Sequence, residues 1–93
     1  MNIFIRTDAS INVGTGHVMR CLTLADELRQ KVPDINFICR EEPGNLISYI
    51  GNRGYKVHQL PGVIDIETDR RLTKEILSKY ETKPDWLIID HYD

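Results

Sequence analysis

The chain has 93 residues, of which 41% are hydrophobic and 28% are charged. That length fits one domain, and that composition is typical of a folded globular domain rather than a disordered or membrane-embedded chain. The formal net charge of −2 excludes a strongly basic surface, so we expect no nucleic-acid partner. The apolar run at 1–6 has only the length of a strand, so we expect neither a signal peptide nor attachment to a membrane.

Four short apolar runs are typical of strands, and helical patterns separate them. The predicted strands lie at 3–6, 35–39, 55–60 and 86–89. The first and the last runs are almost continuously apolar, as in strands that are covered on both faces of a parallel sheet.

Apolar residues at helical spacing predict three helices between these strands. The first helix has its apolar positions at Val18, Cys21, Leu22, Ala25, Leu28 and Val32 and ends at Pro33. The second is short, at about 45–52, and the third starts near Thr68 or Asp69 and ends before Pro84. Strands and helices that alternate in this way predict an α/β fold, a doubly wound parallel sheet of Rossmann-like type with strand order 3-2-1-4.

Two residue types that often carry chemistry are interpreted here as structural. Cys21 and Cys39 fall in a predicted helix and a predicted strand, and neither belongs to a C-x-x-C pair. We therefore expect two buried, reduced thiols, which suits a cytoplasmic location. His58 alternates with apolar residues in the third predicted strand, so we expect it to pack within the fold.

The segment 14–20 (GTGHVMR) places two glycines after a strand and a histidine in the first turn of a helix. A helix N-terminus presents unpaired amides and the positive end of the helix dipole, so Gly14 and Gly16 can bring the backbone close to an anionic ligand. The same positive field disfavours a charged imidazole, so we predict that His17 acts as a base toward water or a sugar hydroxyl. Arg20, one turn further, can pair with a phosphate or with Asp8, and the alternative is a plain surface arginine.

Two cofactor hypotheses can be set against this interpretation. Met19 stands where a dinucleotide-binding G-x-G-x-x-G loop has its third glycine, and no acidic residue closes the second strand where a ribose contact needs one. The side chains of Asp90, His91 and Asp93, together with His17, include metal-ligand types, but the D-H-x-D spacing at 90–93 is not diagnostic. The acidic pair within 65–67 has no further support as a metal site. We therefore expect neither a cofactor nor a metal.

A polar cluster, Asp90, His91, Tyr92 and Asp93, follows the fourth predicted strand directly. With strands one and four adjacent, this cluster lies beside the loop at 14–20, at the sheet edge where ligands bind in open α/β folds. Asp90 can orient an imidazole or bind a sugar hydroxyl, and Tyr92 can stack on a sugar ring; the alternative is an ordinary solvated loop. Because the chain ends at this edge, we expect it to be a fragment of a longer enzyme.

Two motifs resemble those of a known family. The segments 5–10 (IRTDAS) and 14–25 (GTGHVMRCLTLA) resemble the N-terminal signature of the UDP-2,4-diacetamido-2,4,6-trideoxy-β-L-altropyranose hydrolases of pseudaminic acid biosynthesis, which spore coat polysaccharide biosynthesis proteins share. The segment 87–92 (LIIDHY) resembles the family's second motif. The resemblance implies a two-domain glycosyltransferase-B-type architecture, in which 1–93 is a truncated N-terminal Rossmann-like domain and the C-terminal nucleotide-binding domain is absent.

The resemblance also implies a chemistry. His17 matches the family's general base, which activates water to attack the anomeric carbon with inversion while UDP leaves, without a metal or cofactor. Tyr92 matches a residue near the sugar, whereas Asp93 stands where the family often has glycine. The residues predicted to bind the UDP-sugar substrate are Arg6, Asp8, Gly14, Gly16, Arg20, Asp90, His91 and Tyr92.

Two other functions compete with hydrolysis. In a glycosyltransferase of the same architecture, His17 would deprotonate a sugar hydroxyl instead of water, and a noncatalytic module would bind a sugar only. The residues specify neither the exact sugar nor the oligomeric state. We expect the isolated chain to be inactive.

Overall fold

The computed structural model describes residues 2–9, 14–32, 34–62, 64–79 and 86–90, with the backbone alone at 86 and 90. The strands are β1 (Asn2–Thr7), β2 (Asp34–Arg40), β3 (Lys56–Leu60) and β4 (Trp86–Asp90), and the helices are α1 (Gly16–Leu28), α2 (Ile47–Asn52) and α3 (Ile66–Ser78). Each helix connects two consecutive strands. This alternation confirms the predicted α/β class.

The four strands form one parallel sheet in the order β3-β2-β1-β4. Ile5 in β1 lies opposite Phe37 in β2 on one side and opposite Ile88 in β4 on the other. The predicted strand order is therefore confirmed, and the fold is consistent with a Rossmann-like domain. Since β1 and β4 are neighbours, their carboxyl ends lie side by side.

One face of the sheet is covered by α1 and α2. Its core joins Ile5 and Phe37 of the central strands to Leu22 of α1 and Ile50 of α2, and each of these side chains is at most 1% exposed. Among the described residues, this cluster contains 13 buried side chains, whereas the cluster on the opposite face contains three. Because hydrophobic stabilisation follows buried apolar area, the α1–α2 face supplies most of the stabilisation that the described residues provide.

The opposite face is covered by α3, and only in part. Phe4, Ile38 and Leu60 are buried there against half-buried leucine and isoleucine side chains of α3. Leu87 and Ile89 of β4 are 40% and 62% exposed, and they border a groove of about 320 Å³ between α3 and β4. The two faces of the same sheet therefore differ in how completely they are packed.

One predicted boundary of each of the two longer helices is wrong. α1 ends at Leu28 rather than near Val32, and the amide of Val32 bonds to the carbonyl of Leu28 across a turn. Val32 precedes a proline, which disfavours helical geometry. It is nevertheless buried, so it fits the apolar spacing of α1 without belonging to the helix. α3 starts at Ile66, before the predicted start, because Asp65 caps it by accepting a hydrogen bond from the amide of Thr68 at 2.7 Å.

The short helix α2 starts at Ile47, two positions after the predicted start. The side chain of Asn45 accepts a hydrogen bond from the Ile47 amide at 3.0 Å, and such a local bond favours a turn over a helix. The helix is followed by Gly54, whose φ of +93° suits glycine. Within the described ranges, no helix has the length and apolar character to cross a bilayer.

The residues interpreted as structural are built into the core. Cys21 and Cys39 are buried, as predicted, and neither forms a disulfide. Burial raises the pKa of the Cys39 thiol to about 12. The ring of His58 stacks on Phe4, with 5.9 Å between the ring centroids, and its Nε2 lies 3.3 Å from Oδ1 of Asn36. These contacts confirm that His58 packs within the fold.

Candidate functional site

The candidate site lies at the carboxyl edge of the sheet, around the start of α1. Thr7 ends β1 and lies opposite Asp90, which ends β4. The chain leaves β1 through Asp8 and enters α1 at Gly16. The end of β4 and the first turn of α1 therefore share the edge at which open α/β sheets bind their ligands.

The N-terminus of α1 is not complemented by acidic residues of its own first turn. Gly14 has a φ of +83°, a conformation that glycine adopts without steric cost, so the loop reaches the helix through a left-handed residue. Thr15 occupies the N-cap position, but its side chain makes no capping hydrogen bond, and the first turn contains no acidic residue. The positive end of this helix dipole is thus suited to an anionic ligand from outside the turn.

His17 and Arg20 contact each other on this first turn. His17 is half-buried and Arg20 is exposed, and Nη2 of Arg20 lies 2.9 Å from Nδ1 of His17. A guanidinium can only donate, so Nδ1 is the acceptor in this contact. In the neutral ring the proton is then on Nε2, and Nδ1 is the basic nitrogen. Asp8, which was predicted as one partner of Arg20, is bonded to Arg6 and to the Arg40 amide instead.

Arg6 lies beneath α3 and is only 2% exposed. Its Nη1 donates to Oδ1 of Asp8 at 2.7 Å, its Nε donates to Oδ1 of Asp69 at 3.1 Å, and its Nη2 donates to Oδ2 of Asp69. Arg40 donates from Nε to Oδ2 of Asp69 and from its backbone amide to Oδ1 of Asp8, both at 2.8 Å. These four residues, called the Arg6 network below, join the ends of β1 and β2 to the first turn of α3.

Opposite charges outweigh burial in the Arg6 network. Burial raises the pKa of Asp69. The hydrogen bonds and positive charges of Arg6 and Arg40 lower this pKa by more than burial raises it, to about 2. For Arg6, burial lowers the pKa, but the hydrogen bonds and negative charges of Asp69 and Asp8 raise it above its ordinary value. Asp69 and Arg6 are therefore charged at neutral pH, and each supplies the partner that the other needs when buried.

Arg6 and Asp8 were predicted as site residues from the sequence, whereas Arg40 and Asp69 were not. Arg6 and Asp69 are 63 positions apart, so no local pattern connects them. The sequence does indicate that Arg6 has a carboxylate partner. Arg6 ends an apolar strand that was predicted to be covered on both faces, and a buried arginine requires carboxylates. The sequence thus indicates the type of partner but not its position.

The structure divides the predicted site residues into two groups. Gly14, Gly16, His17 and Arg20 lie together at the start of α1, whereas Arg6 and Asp8 belong to the buried network. The backbone of Asp90 lies at the same edge. The side chain of Asp90 and the residues His91, Tyr92 and Asp93 lie outside the described part of the chain.

The acidic pair within 65–67 belongs to the start of α3. Asp65 is the N-cap of this helix and Glu67 lies in its first turn. In the part of the chain that the structure describes, no three or more histidine, cysteine, aspartate or glutamate side chains are grouped so that they could hold a metal ion. The helix start accounts for the position of both carboxylates.

The chain is similar to parts of larger curated proteins, although no protein-family model matches it. It is 37% identical over 91 residues to an uncharacterized protein of Methanocaldococcus jannaschii, which covers 97% of this chain and 17% of that protein. It is 34% identical over 92 residues to the UDP-2,4-diacetamido-2,4,6-trideoxy-beta-L-altropyranose hydrolase of Campylobacter jejuni, which covers 99% of this chain and 28% of the hydrolase. The chain therefore spans less than a third of either relative, and the second similarity supports a relationship to that enzyme family.

Proposed function

We propose that this chain is the N-terminal domain of an enzyme that hydrolyses a UDP-linked deoxy-amino sugar and releases UDP. The observation that carries the proposal is the position of His17, in the first turn of α1 at the carboxyl edge of the sheet. The similarity to the Campylobacter hydrolase extends over 92 residues and supports the same reaction class. His17 is the general base of the proposed reaction.

A general base needs an unprotonated nitrogen that faces the attacking water. We assign this role to Nδ1 of His17, the nitrogen to which Arg20 donates. Arg20 is exposed, so its side chain can move to the diphosphate of a bound UDP-sugar. Substrate binding thereby removes the donor from Nδ1 and adds a positive charge beside the leaving group.

The proposed chemical step is a single displacement. Nδ1 of His17 takes a proton from water, the water oxygen bonds to the anomeric carbon, and the bond from that carbon to the diphosphate oxygen breaks with inversion. Negative charge develops on the departing UDP, where Arg20 and the positive end of α1 can stabilise it. Gly14 and Gly16 allow the backbone to approach the diphosphate. The remaining residues, Asp90, His91 and Tyr92, are assigned to the sugar.

The nucleotide itself is assigned to a second domain. The chain spans 28% of the length of the Campylobacter hydrolase, and we infer a glycosyltransferase-B-type arrangement in which 1–93 is the first domain. Arg6 and Asp8 contribute by shaping the edge of this domain, since both side chains are buried. The enzyme would act in the cytoplasm, in the biosynthesis of pseudaminic acid or of a related cell-surface or spore coat polysaccharide.

A fusion of this chain to the part of the Campylobacter hydrolase that follows the aligned region tests the proposal. The fusion should release UDP from UDP-2,4-diacetamido-2,4,6-trideoxy-β-L-altropyranose without an acceptor sugar. His17→Asn should lower the rate by roughly 10²–10⁴-fold, because general base catalysis is lost, while substrate binding is kept. His58→Asn is the matched control, since this histidine lies in β3, and it should leave the rate unchanged.

The other outcomes identify other functions. Release of UDP only when an acceptor sugar is present would identify a glycosyltransferase. Sugar binding that is unchanged by His17→Asn, without turnover in either protein, would identify a binding module. An unchanged rate of UDP release in the His17→Asn fusion would remove His17 from the mechanism.

A further inference from the structure

We propose that Asp69 is a positioning residue for the candidate site, which acts through the Arg6 network on the chain that leads from β1 to His17. The role of Asp69 in catalysis rests on the proposed function, whereas its effect on the position of His17 does not. Asp69 lies in the first turn of α3, on the face of the sheet opposite to α1. Its influence on His17 must therefore pass through the strands between them.

Asp69 is the residue at which three elements of the fold meet. Its Oδ2 accepts hydrogen bonds from Arg6 of β1 and Arg40 of β2, and its Oδ1 accepts a second bond from Arg6. The hydroxyl of Thr73, one turn further along α3, donates to Oδ1 at 3.2 Å and orients the carboxylate. Asp69 is 5% exposed, so these bonds form where water competes little.

The connection to the site runs through Asp8. This residue directly follows β1, and its Oδ1 accepts hydrogen bonds from Nη1 of Arg6 at 2.7 Å and from the backbone amide of Arg40 at 2.8 Å. From Asp8 the chain continues to Gly14 and then to His17. The two hydrogen bonds of the Asp8 carboxylate therefore hold the chain at the point where it leaves β1.

The charges of the network explain why Asp69 controls this position. Arg6 and Arg40 supply two positive charges, and Asp8 and Asp69 balance them. Without the charge of Asp69, both guanidiniums are left with Asp8 as the remaining carboxylate of the network. We expect Asp8 to turn toward them and to give up the bond from the Arg40 amide, which moves the start of the loop.

The test compares Asp69→Asn with Glu75→Gln in this 93-residue chain by nuclear magnetic resonance. Both variants exchange a carboxylate of α3 for its amide, but the side chain of Glu75 is 54% exposed and pairs with Arg71. Asp69→Asn should displace the His17 ring signals and the amide signals of Gly14 and Gly16. It should also lower the exchange protection of the Arg40 amide by about tenfold or more, because a hydrogen bond to a charged group is lost. Glu75→Gln should change none of these signals.

Two further variants keep the test decisive. Asp69→Glu retains the charge and should restore the wild-type signals in part. Thr73→Val removes the hydroxyl that orients the Asp69 carboxylate and keeps the charge of Asp69, so it supplies the answer if Asp69→Asn does not fold, and it should shift the same signals by a smaller amount. Folded variants that melt earlier but keep the wild-type His17, Gly14 and Gly16 signals would overturn the proposal. Since none of these measurements needs turnover, a failure of the proposed hydrolase activity would be seen separately, in the UDP-release assay.

Discussion

The N-termini of α1 and α3 lie at the same edge of the sheet but are surrounded by opposite charges. Both helices have 13 residues. α3 has Asp65 as its N-cap and Glu67 and Asp69 in its first turn. α1 has Thr15 at the N-cap without a side-chain capping bond, and its first turn contains His17 and no acidic residue.

This difference separates a helix start that serves folding from one that is suited to binding. At α3 the Asp65 carboxylate accepts a hydrogen bond from the Thr68 amide and the first-turn carboxylates complement the helix dipole, so an external anion would add little stabilisation at this end. At α1 the same amides and dipole are accompanied by an imidazole and, one turn on, by Arg20. The contrast within one chain supports the assignment of the ligand to α1.

The bodies of the two helices differ as well, and this gives the largest expected effect on stability. Leu22 of α1 is 1% exposed, whereas Leu72 of α3 is half-buried. Leu22→Ala should lower the free energy of unfolding by about 2–5 kcal/mol, and Leu72→Ala by about 1–2 kcal/mol. Helix propensity cancels, because both substitutions exchange the same residues within a helix. Urea unfolding measures both values, and equal losses would mean that α3 covers its face as completely as α1 does.

Acid should weaken the α3 side through Asp69. Its pKa is lowered from 3.8 to about 2 in the folded protein, so the unfolded chain binds the proton more readily. The stabilisation from the charged form is complete above the unfolded pKa and is lost as the pH falls through 3.8 toward 2. The urea midpoint should therefore fall over this range in the wild-type protein and less steeply in Asp69→Asn. Glu75→Gln should keep the wild-type slope, and equal slopes in all three proteins would contradict the role of Asp69.

The fold could be predicted from the sequence because the strands of this sheet are apolar enough to stand out. Each predicted strand matches the observed one to within one residue at either end, and the observed strand order is the one expected of a doubly wound, Rossmann-like sheet. Helix boundaries were predicted less well, since single contacts decide them. The Asp65 side chain sets the start of α3, and burial of Val32 outside the helix made α1 look longer.

The candidate site could be predicted only in its local part. Gly16 and His17 follow from a glycine-rich segment between a strand and a helix, and the structure has them at the start of α1. The partner of Arg6 depends on how α3 packs across the sheet, and the sequence offers 14 acidic residues for that role. Asp69 is distinguished from the others by three-dimensional packing alone.

The smallest expected effects concern the two N-caps, and they test the difference between the N-termini of α1 and α3 directly. Asp65→Ala removes the side-chain oxygen that accepts from the Thr68 amide, so the melting temperature should fall by roughly 4 °C. Thr15→Ala removes no side-chain capping bond, so the shift should stay within about 1 °C. Thermal unfolding followed by circular dichroism measures both. A loss at Thr15 as large as that at Asp65 would mean that α1, like α3, uses its N-terminus for its own stability, and the amides and dipole of α1 would then not favour an anion at His17.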